Sequence, residues 1–321
     1  MGAAQTGLAD GEHANGVPKQ IRQHRRHKSR RPALLSAIDD AAMPTRLHCH
    51  SSGDLAAPPV LLLHGFFSDG RMWHQPLAAL TALGISRHWL ALDLPGHGRS
   101  QGLRPPSEQQ AWPWLWRLLD EVVTDLGQSP IIIGYSFGAR VAAAWALAHC
   151  SGQNRPQLAG MVLESAHCGL PAPEAAQRRL ADQHLAGQLE NASIDASIAD
   201  WQAQPLFASQ THLPDERAAD LAAHQGLRRE QSPTGLGFAL RNLGTGTMPD
   251  LQTCPPRADL PSLVLTGDLD PKFVAMLPLW AMLLPQAQLA TLPGVGHHIC
   301  LENPQLWAQT VAPFLDPCSR G

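Results

Sequence analysis

The decapeptide IIIGYSFGAR (131–140) constrains the fold more than any other stretch of the chain. Three isoleucines make a short continuous apolar run, as in a parallel strand buried on both faces. The run enters Gly134-Tyr135-Ser136-Phe137-Gly138, and Ala139 and Arg140 begin an alanine-rich, helix-forming segment. G-x-S-x-G between a strand and a helix is the pattern of a nucleophile elbow. Its turn leaves no room for a side chain two residues before or after the serine, and it lifts the serine above the end of the sheet. Glycine and serine are common, so the pentapeptide gains its weight from its surroundings.

Those surroundings repeat the pattern. Apolar runs occur in PVLLLHGF (59–66), HWLALDLPGHGRS (88–100), LAGMVLESA (158–166), PSLVLTGDLD (261–270) and AQLATLPGVGHH (287–298). Helices are predicted from a capping-box signal at Ser107 and Gln110 to about Leu126, from Phe137 to His149, and at about 272–284 and 303–315. Strands alternating with helices predict an α/β fold with a mostly parallel sheet covered on both faces. From about Cys168 to Pro256 the alternation stops. That segment is rich in Ala, Gln, Arg and Asp with helical spacing, and it reads as a helical cap (168–256) inserted into a core made of 43–167 and 257–321. Trp112 and Trp116 lie four apart, share a helix face and read as core.

A serine hydroxyl needs a base to act at neutral pH. LTGDLD ends a predicted strand with Asp268 and Asp270, and the G-x-x-D spacing favours Asp270. GVGHH follows the last strand, and His297, directly after the glycine, is the expected base in preference to His298. The chain order Ser136, Asp270, His297 is that of a serine–acid–histidine triad on such a fold. A developing oxyanion needs donors. The backbone N–H groups of Phe137 and Phe66 stand where they are required, with His64-Gly65 shaping the loop and His64 itself structural.

Composition limits the alternatives. The chain has 321 residues, 44% hydrophobic and 16% charged, with a formal charge of −3. This balance calls for neither nucleic acid nor an anionic membrane as partner, so affinity for an acidic ligand must come from local placement. Six scattered cysteines without a C-x-x-C pair read as reduced thiols in a cytoplasmic compartment. His48-Cys49-His50 puts two histidines on one face of a possible strand; without further ligands in view, a metal is not expected there. No HExxH or dinucleotide fingerprint is present, so no metal or organic cofactor is expected. No apolar run approaches the ~18–20 residues of a membrane helix. Residues 1–42 hold seven basic residues, all between Lys19 and Arg31, and read as a disordered basic tail. A transit peptide is disfavoured by Asp10, Glu12, Asp39 and Asp40, and Met43 could serve as initiator.

LLLHGF, DLPGHGRS, GYSFGAR, LTGDLD and GVGHH, in this order across 58–321, resemble the α/β-hydrolase superfamily. The cap motifs are more specific. ESAHCGL (164–170), Arg178 with Asp182, DWQAQPLFASQ (200–210) and LGTGTMPDL (243–251) look like the 2-succinyl-6-hydroxy-2,4-cyclohexadiene-1-carboxylate (SHCHC) synthase family of menaquinone and phylloquinone biosynthesis. The resemblance implies a lyase. Its histidine-activated serine acts as a base on SEPHCHC, a small-molecule tricarboxylate, and pyruvate is eliminated without an acyl-enzyme. It also implies carboxylate binding by Arg140, Arg178 and Arg228, with Arg229 as an alternative to the last, and a pocket lined by Tyr135 and Trp201. Arg140 lies one helical turn beyond Ser136, where a guanidinium can grip a carboxylate with two parallel hydrogen bonds. The family's second glycine is replaced by Ala139, which a helix tolerates. A serine hydrolase acting on a carboxylate-bearing ester or carbon–carbon bond is the alternative from another enzyme class.

Overall fold

The apolar runs form strands. In chain order these are β1 (Cys49–Gly53), β2 (Pro59–Leu63), β3 (His88–Leu92), β4 (Ile131–Tyr135), β5 (Gly160–Glu164), β6 (Ser262–Gly267) and β7 (Gln288–Leu292). The coordinates are a computed structural model that describes residues 45–149 and 157–316. The basic stretch Lys19–Arg31, the remainder of 1–42, Cys150 and Cys318 lie outside the described residues.

The strands make one sheet in the order β1-β3-β2-β4-β5-β6-β7. β1 runs antiparallel to β3, and every other pairing is parallel. Side-chain alternation divides the core between two faces. Leu61, Leu63 and Ile132 point into one apolar cluster, and Val60, Leu62, Ile131 and Ile133 into the other. The helices α1 (His74–Ala82), α2 (Ala111–Leu126) and α3 (Phe137–Leu147) fill the early crossovers. α2 and α3 cover the first face through Leu115, Leu119 and Val141, while α1 contributes Leu80 to the second. Trp112 and Trp116 are buried on the α2 face, with ring centroids 6.4 Å apart.

Between β5 and β6 come four helices and no strand: α4 (Ala172–Asn191), α5 (Ile194–Gln202), α6 (Asp215–Arg229) and α7 (Pro233–Leu243). They enclose a third apolar cluster built on Ala186, Leu189, Ile198, Leu236 and Leu240, into which Phe67 of the core also packs. Then follow α8 (Pro271–Val274), α9 (Leu277–Leu283), α10 (Ile299–Glu302) and α11 (Pro304–Leu315).

Three local expectations need correction. The capping box at Ser107 and Gln110 does not form: Ser107 makes no side-chain cap bond, and Gln110, at φ −103° and ψ 10°, stands outside the α-helix that starts at Ala111. The helix expected over 272–284 is two helices, α8 and α9. Pro278 lies in the first turn of α9, where its missing N–H costs nothing, whereas inside a continuous helix it would remove a hydrogen bond and clash. α3 ends at Leu147 instead of His149.

Candidate active site

The C-terminal ends of β2, β4, β5 and β6 meet at one edge of the sheet, and the loops that leave them carry the chemistry-bearing residues, as expected for a parallel sheet. Ser136 follows β4 directly with φ 48° and ψ −100°. Its N–H donates to the Glu164 carbonyl at 2.9 Å, and its own carbonyl accepts from the Arg140 N–H at 3.0 Å. The flanking glycines have a steric reason. A Cβ on Gly134 would lie 2.6 Å from the Ala139 backbone, and one on Gly138 would overlap the Leu63 carbonyl. Phe67 (φ 63°) and Ser165 (φ 51°), at the neighbouring strand ends, are likewise held in the left-handed region. Such strain collects where the surrounding structure fixes a site.

His297 Nε2 lies 2.9 Å from Ser136 Oγ, and His297 Nδ1 lies 2.7 Å from Asp270 Oδ2. Asp270 and His297 are both buried. Asp268 does other work, accepting from the Gly294 N–H at 2.8 Å. His298 is turned away from the serine and stacks on Tyr135, with centroids 4.0 Å apart and planes at 4°. Phe137 opens α3, so its N–H has no partner one turn earlier in the helix. His64 accepts from the Leu94 N–H at 2.9 Å through Nε2, which places its proton on Nδ1, beside the Gly65 carbonyl at 2.8 Å.

Ser136, Asp270 and His297 face a cavity of about 400 Å³, lined also by Phe66, Tyr135, Phe137, Arg140 and Arg178, and by Trp201, Phe207 and Lys272 among others. Phe66 and Trp201 meet at 4.9 Å between centroids, and Phe273 lies 4.6 Å from the His297 ring. Burial, then the neighbouring Arg178, lowers the Arg140 guanidinium to about 10, so it still carries its charge at neutral pH. It donates to the Leu243 carbonyl at 3.2 Å. Arg178 Nε donates to Asp182 Oδ1 at 2.7 Å. Asp182 Oδ2 in turn accepts from the Gly246 N–H at 3.1 Å, which gives the Gly244-Thr245-Gly246 motif a role in fixing that pair.

Residues 60–310 match the sequence pattern of the alpha/beta hydrolase family. The chain belongs to the alpha/beta hydrolase family. It is 32% identical over 271 residues to the 2-succinyl-6-hydroxy-2,4-cyclohexadiene-1-carboxylate synthase of Salmonella enteritidis, spanning 83% of this chain and 97% of that protein. The solved structure of MenH from S. aureus matches it with a TM-score of 0.72 at 29% identity, covering 85% of this chain and 98% of that one. The enol-lactonase from Burkholderia xenovorans shares the fold, with a TM-score of 0.67 at 20% identity over 84% of this chain and 96% of that one.

In this alpha/beta hydrolase two arginines expected by resemblance, Arg140 and Arg178, line the cavity with Tyr135 and Trp201. Arg228 does not. Its side chain is buried, its Nη1 donates to Gln202 Oε1 at 2.6 Å, and its guanidinium lies 5.7 Å from the Phe207 ring centroid. It backs the cavity wall from behind. Arg229, the alternative, is exposed and pairs with Asp195 at 3.0 Å, away from the site.

Three supporting residues carried no sequence signal strong enough to single them out. Lys272 lines the cavity. Ser165 Oγ donates to the His297 carbonyl at 2.8 Å. Glu302 accepts from the Gly296 N–H at 2.6 Å and the His298 N–H at 3.3 Å. The last two both hydrogen-bond to backbone groups of the histidine loop.

Among the described residues, one group of potential metal ligands gathers: His48, His50 and Asp93, with ligand atoms within 4.8 Å of one another. Asp93 is the third member that the sequence did not reveal. Its oxygens accept from the Gly70 N–H at 2.8 Å, the Arg99 N–H at 2.8 Å and His50 Nε2 at 3.0 Å. Hydrogen bonding alone accounts for this arrangement, and none of the three residues lines the cavity. No described helix is long and apolar enough to cross a membrane.

Proposed function

We propose that this chain is a carbon–oxygen lyase that eliminates pyruvate from SEPHCHC to give SHCHC, with Ser136 as general base, Asp270 and His297 as its activating pair, and α4–α7 as a cap over the site. The observation that carries this reading is that Arg140 and Arg178 line the same cavity as Ser136 and His297. The Salmonella enteritidis relative is named for the same product.

Substrate and product differ by the ring C2 proton and the C5–oxygen bond. His297 Nε2 takes the Ser136 hydroxyl proton as Oγ removes the C2 proton, which is acidified by the adjacent succinyl carbonyl. The imidazolium is stabilised by Asp270, and the N–H groups of Phe66 and Phe137 hold the charge that develops on the carbonyl oxygen. The electron pair moves into C2–C3, the C3–C4 double bond shifts to C4–C5, and the C5–oxygen bond breaks. The departing enolate takes the proton from His297 and becomes pyruvate, leaving Ser136 and His297 as they began. Atoms balance without an acyl-enzyme, water or cofactor.

A serine hydrolase of small neutral esters would use the same three residues but has no need of a charged cavity wall; one acting on a carboxylate-bearing ester is separated instead by whether pyruvate is released. Arg140→Ala separates the lyase from the neutral-ester hydrolase. The lyase reading expects kcat/KM for SEPHCHC to fall at least ~100-fold, because a buried charge-assisted grip is lost, while a small neutral ester loses less than about fivefold. Equal losses on both substrates would contradict it.

A further inference from the structure

Resemblance supplies three arginines for three carboxylates, but only two of them line the cavity. The remaining cation there is Lys272. We infer that Lys272, rather than Arg228, holds the third carboxylate of the substrate at the cavity mouth. The inference rests on the polycarboxylate reading above.

The placement follows from the local chain. Asp270 stands at the N-cap position of α8 without a side-chain cap bond, Pro271 opens the helix, and Lys272 comes next. The residue is therefore anchored two positions from the group that holds His297. Its neighbour Phe273 packs against His297, and the Lys272 ammonium lies 5.3 Å from the Phe273 ring centroid. The backbone on which Lys272 sits is thus held by the packing of Phe273 on His297, while its long exposed side chain can reach a ligand at the mouth.

Charge placement points the same way. Asp270 is the only carboxylate among the lining residues, and it is engaged by His297 at 2.7 Å. Arg178 already has Asp182. Among the described residues Arg140 and Lys272 have no salt-bridge partner. Burial, and then repulsion from Arg178, lowers the Lys272 ammonium; Asp270 opposes the shift and Arg140 adds to it. A cavity with this unpaired positive charge is relieved by a polyanion, and each carboxylate that enters offsets repulsion already present. Arg228 cannot serve in the same way without moving Phe207 and Gln202, the groups it supports. It is a positioning residue for the wall that contains Tyr135 and Phe207.

The test titrates citrate, a tricarboxylate that cannot react, into the wild-type full chain, Lys272→Gln and Lys272→Arg by calorimetry, with pyruvate release from SEPHCHC measured in parallel. The expected result is citrate affinity about tenfold weaker in K272Q and within about twofold of wild type in K272R. KM for SEPHCHC should rise about tenfold in K272Q with kcat changed less than threefold. Equal citrate affinity in K272Q and wild type, or no citrate binding by wild type, overturns the inference. Wild-type protein that binds citrate through Lys272 but releases no pyruvate would overturn the SHCHC reading alone.

Discussion

The Asp270 carboxylate lies 2.7 Å from His297 Nδ1, which leaves Nε2 facing Ser136 Oγ at 2.9 Å. The acid thus selects the tautomer that can accept the serine proton. Asp268, two residues earlier, is a built-in control because it caps Gly294 instead. Asp270→Asn should lower turnover about 10³–10⁴-fold with the fold intact, since the amide favours the wrong tautomer. Asp268→Asn should stay within a few-fold of wild type. Steady-state kinetics on the two variants, with circular dichroism as a folding check, distinguishes the two acids; similar losses would remove Asp270 from its assigned role.

Ser136 occupies φ 48° and ψ −100°, a conformation that costs a residue with a side chain of order 1–3 kcal/mol. Turnover should be lost by orders of magnitude in both Ser136→Ala and Ser136→Gly. Their stabilities should differ, with S136G more stable than S136A by about 1 kcal/mol, because glycine reaches this region without a Cβ penalty. Urea midpoints of the two inactive variants measure the difference. Elsewhere in an element interior glycine is the destabilising choice, so the reverse order would mean that the elbow is unstrained.

Burial, reinforced by Arg228 and His64 and opposed by Asp69, lowers the His224 imidazole to about 3. The unfolded value is about 6.5. Between these two values the unfolded chain binds a proton that the folded chain does not, so this group's contribution makes stability rise with pH in that window. Above about 6.5 it contributes nothing. As pH falls through 6.5 the folded state loses ground, by about 1.4 kcal/mol at pH 5.5 relative to pH 7.5. The stability difference between wild type and His224→Gln should therefore shift against wild type by that amount from pH 7.5 to 5.5. A difference independent of pH would show that His224 titrates normally in the folded protein.

The parts of the site that could be read from sequence are those tied to strand ends. Ser136, Asp270 and His297 each follow an apolar run, and the chain order of a parallel sheet with crossover helices brings such ends to one edge. Gly134 and Gly138 were legible because the elbow brings backbone against backbone. What sequence could not convey is which way a cation on α6 points. Arg228 and Arg229 are adjacent on α6, and a helix turns about 100° between them, so one is buried behind Phe207 and the other faces Asp195 in solvent. Lys272 stood in plain view after Asp270, but nothing in its spacing indicated a side chain at the cavity mouth. Ser165 and Glu302 act through backbone groups of the His297 loop, and such contacts leave no periodic trace. Asp93 joined His48 and His50 only once β3 paired with β1.

The central claim is that a histidine-activated serine removes a proton from a polyanion held by cations in the same cavity. Pyruvate release from SEPHCHC by the wild-type chain, followed by lactate dehydrogenase coupling beside hydrolysis of a simple ester such as 4-nitrophenyl acetate, tests it most directly. The account predicts a kcat/KM for pyruvate release at least ~10³-fold above that for the ester. Ester hydrolysis that outpaces pyruvate release would contradict it.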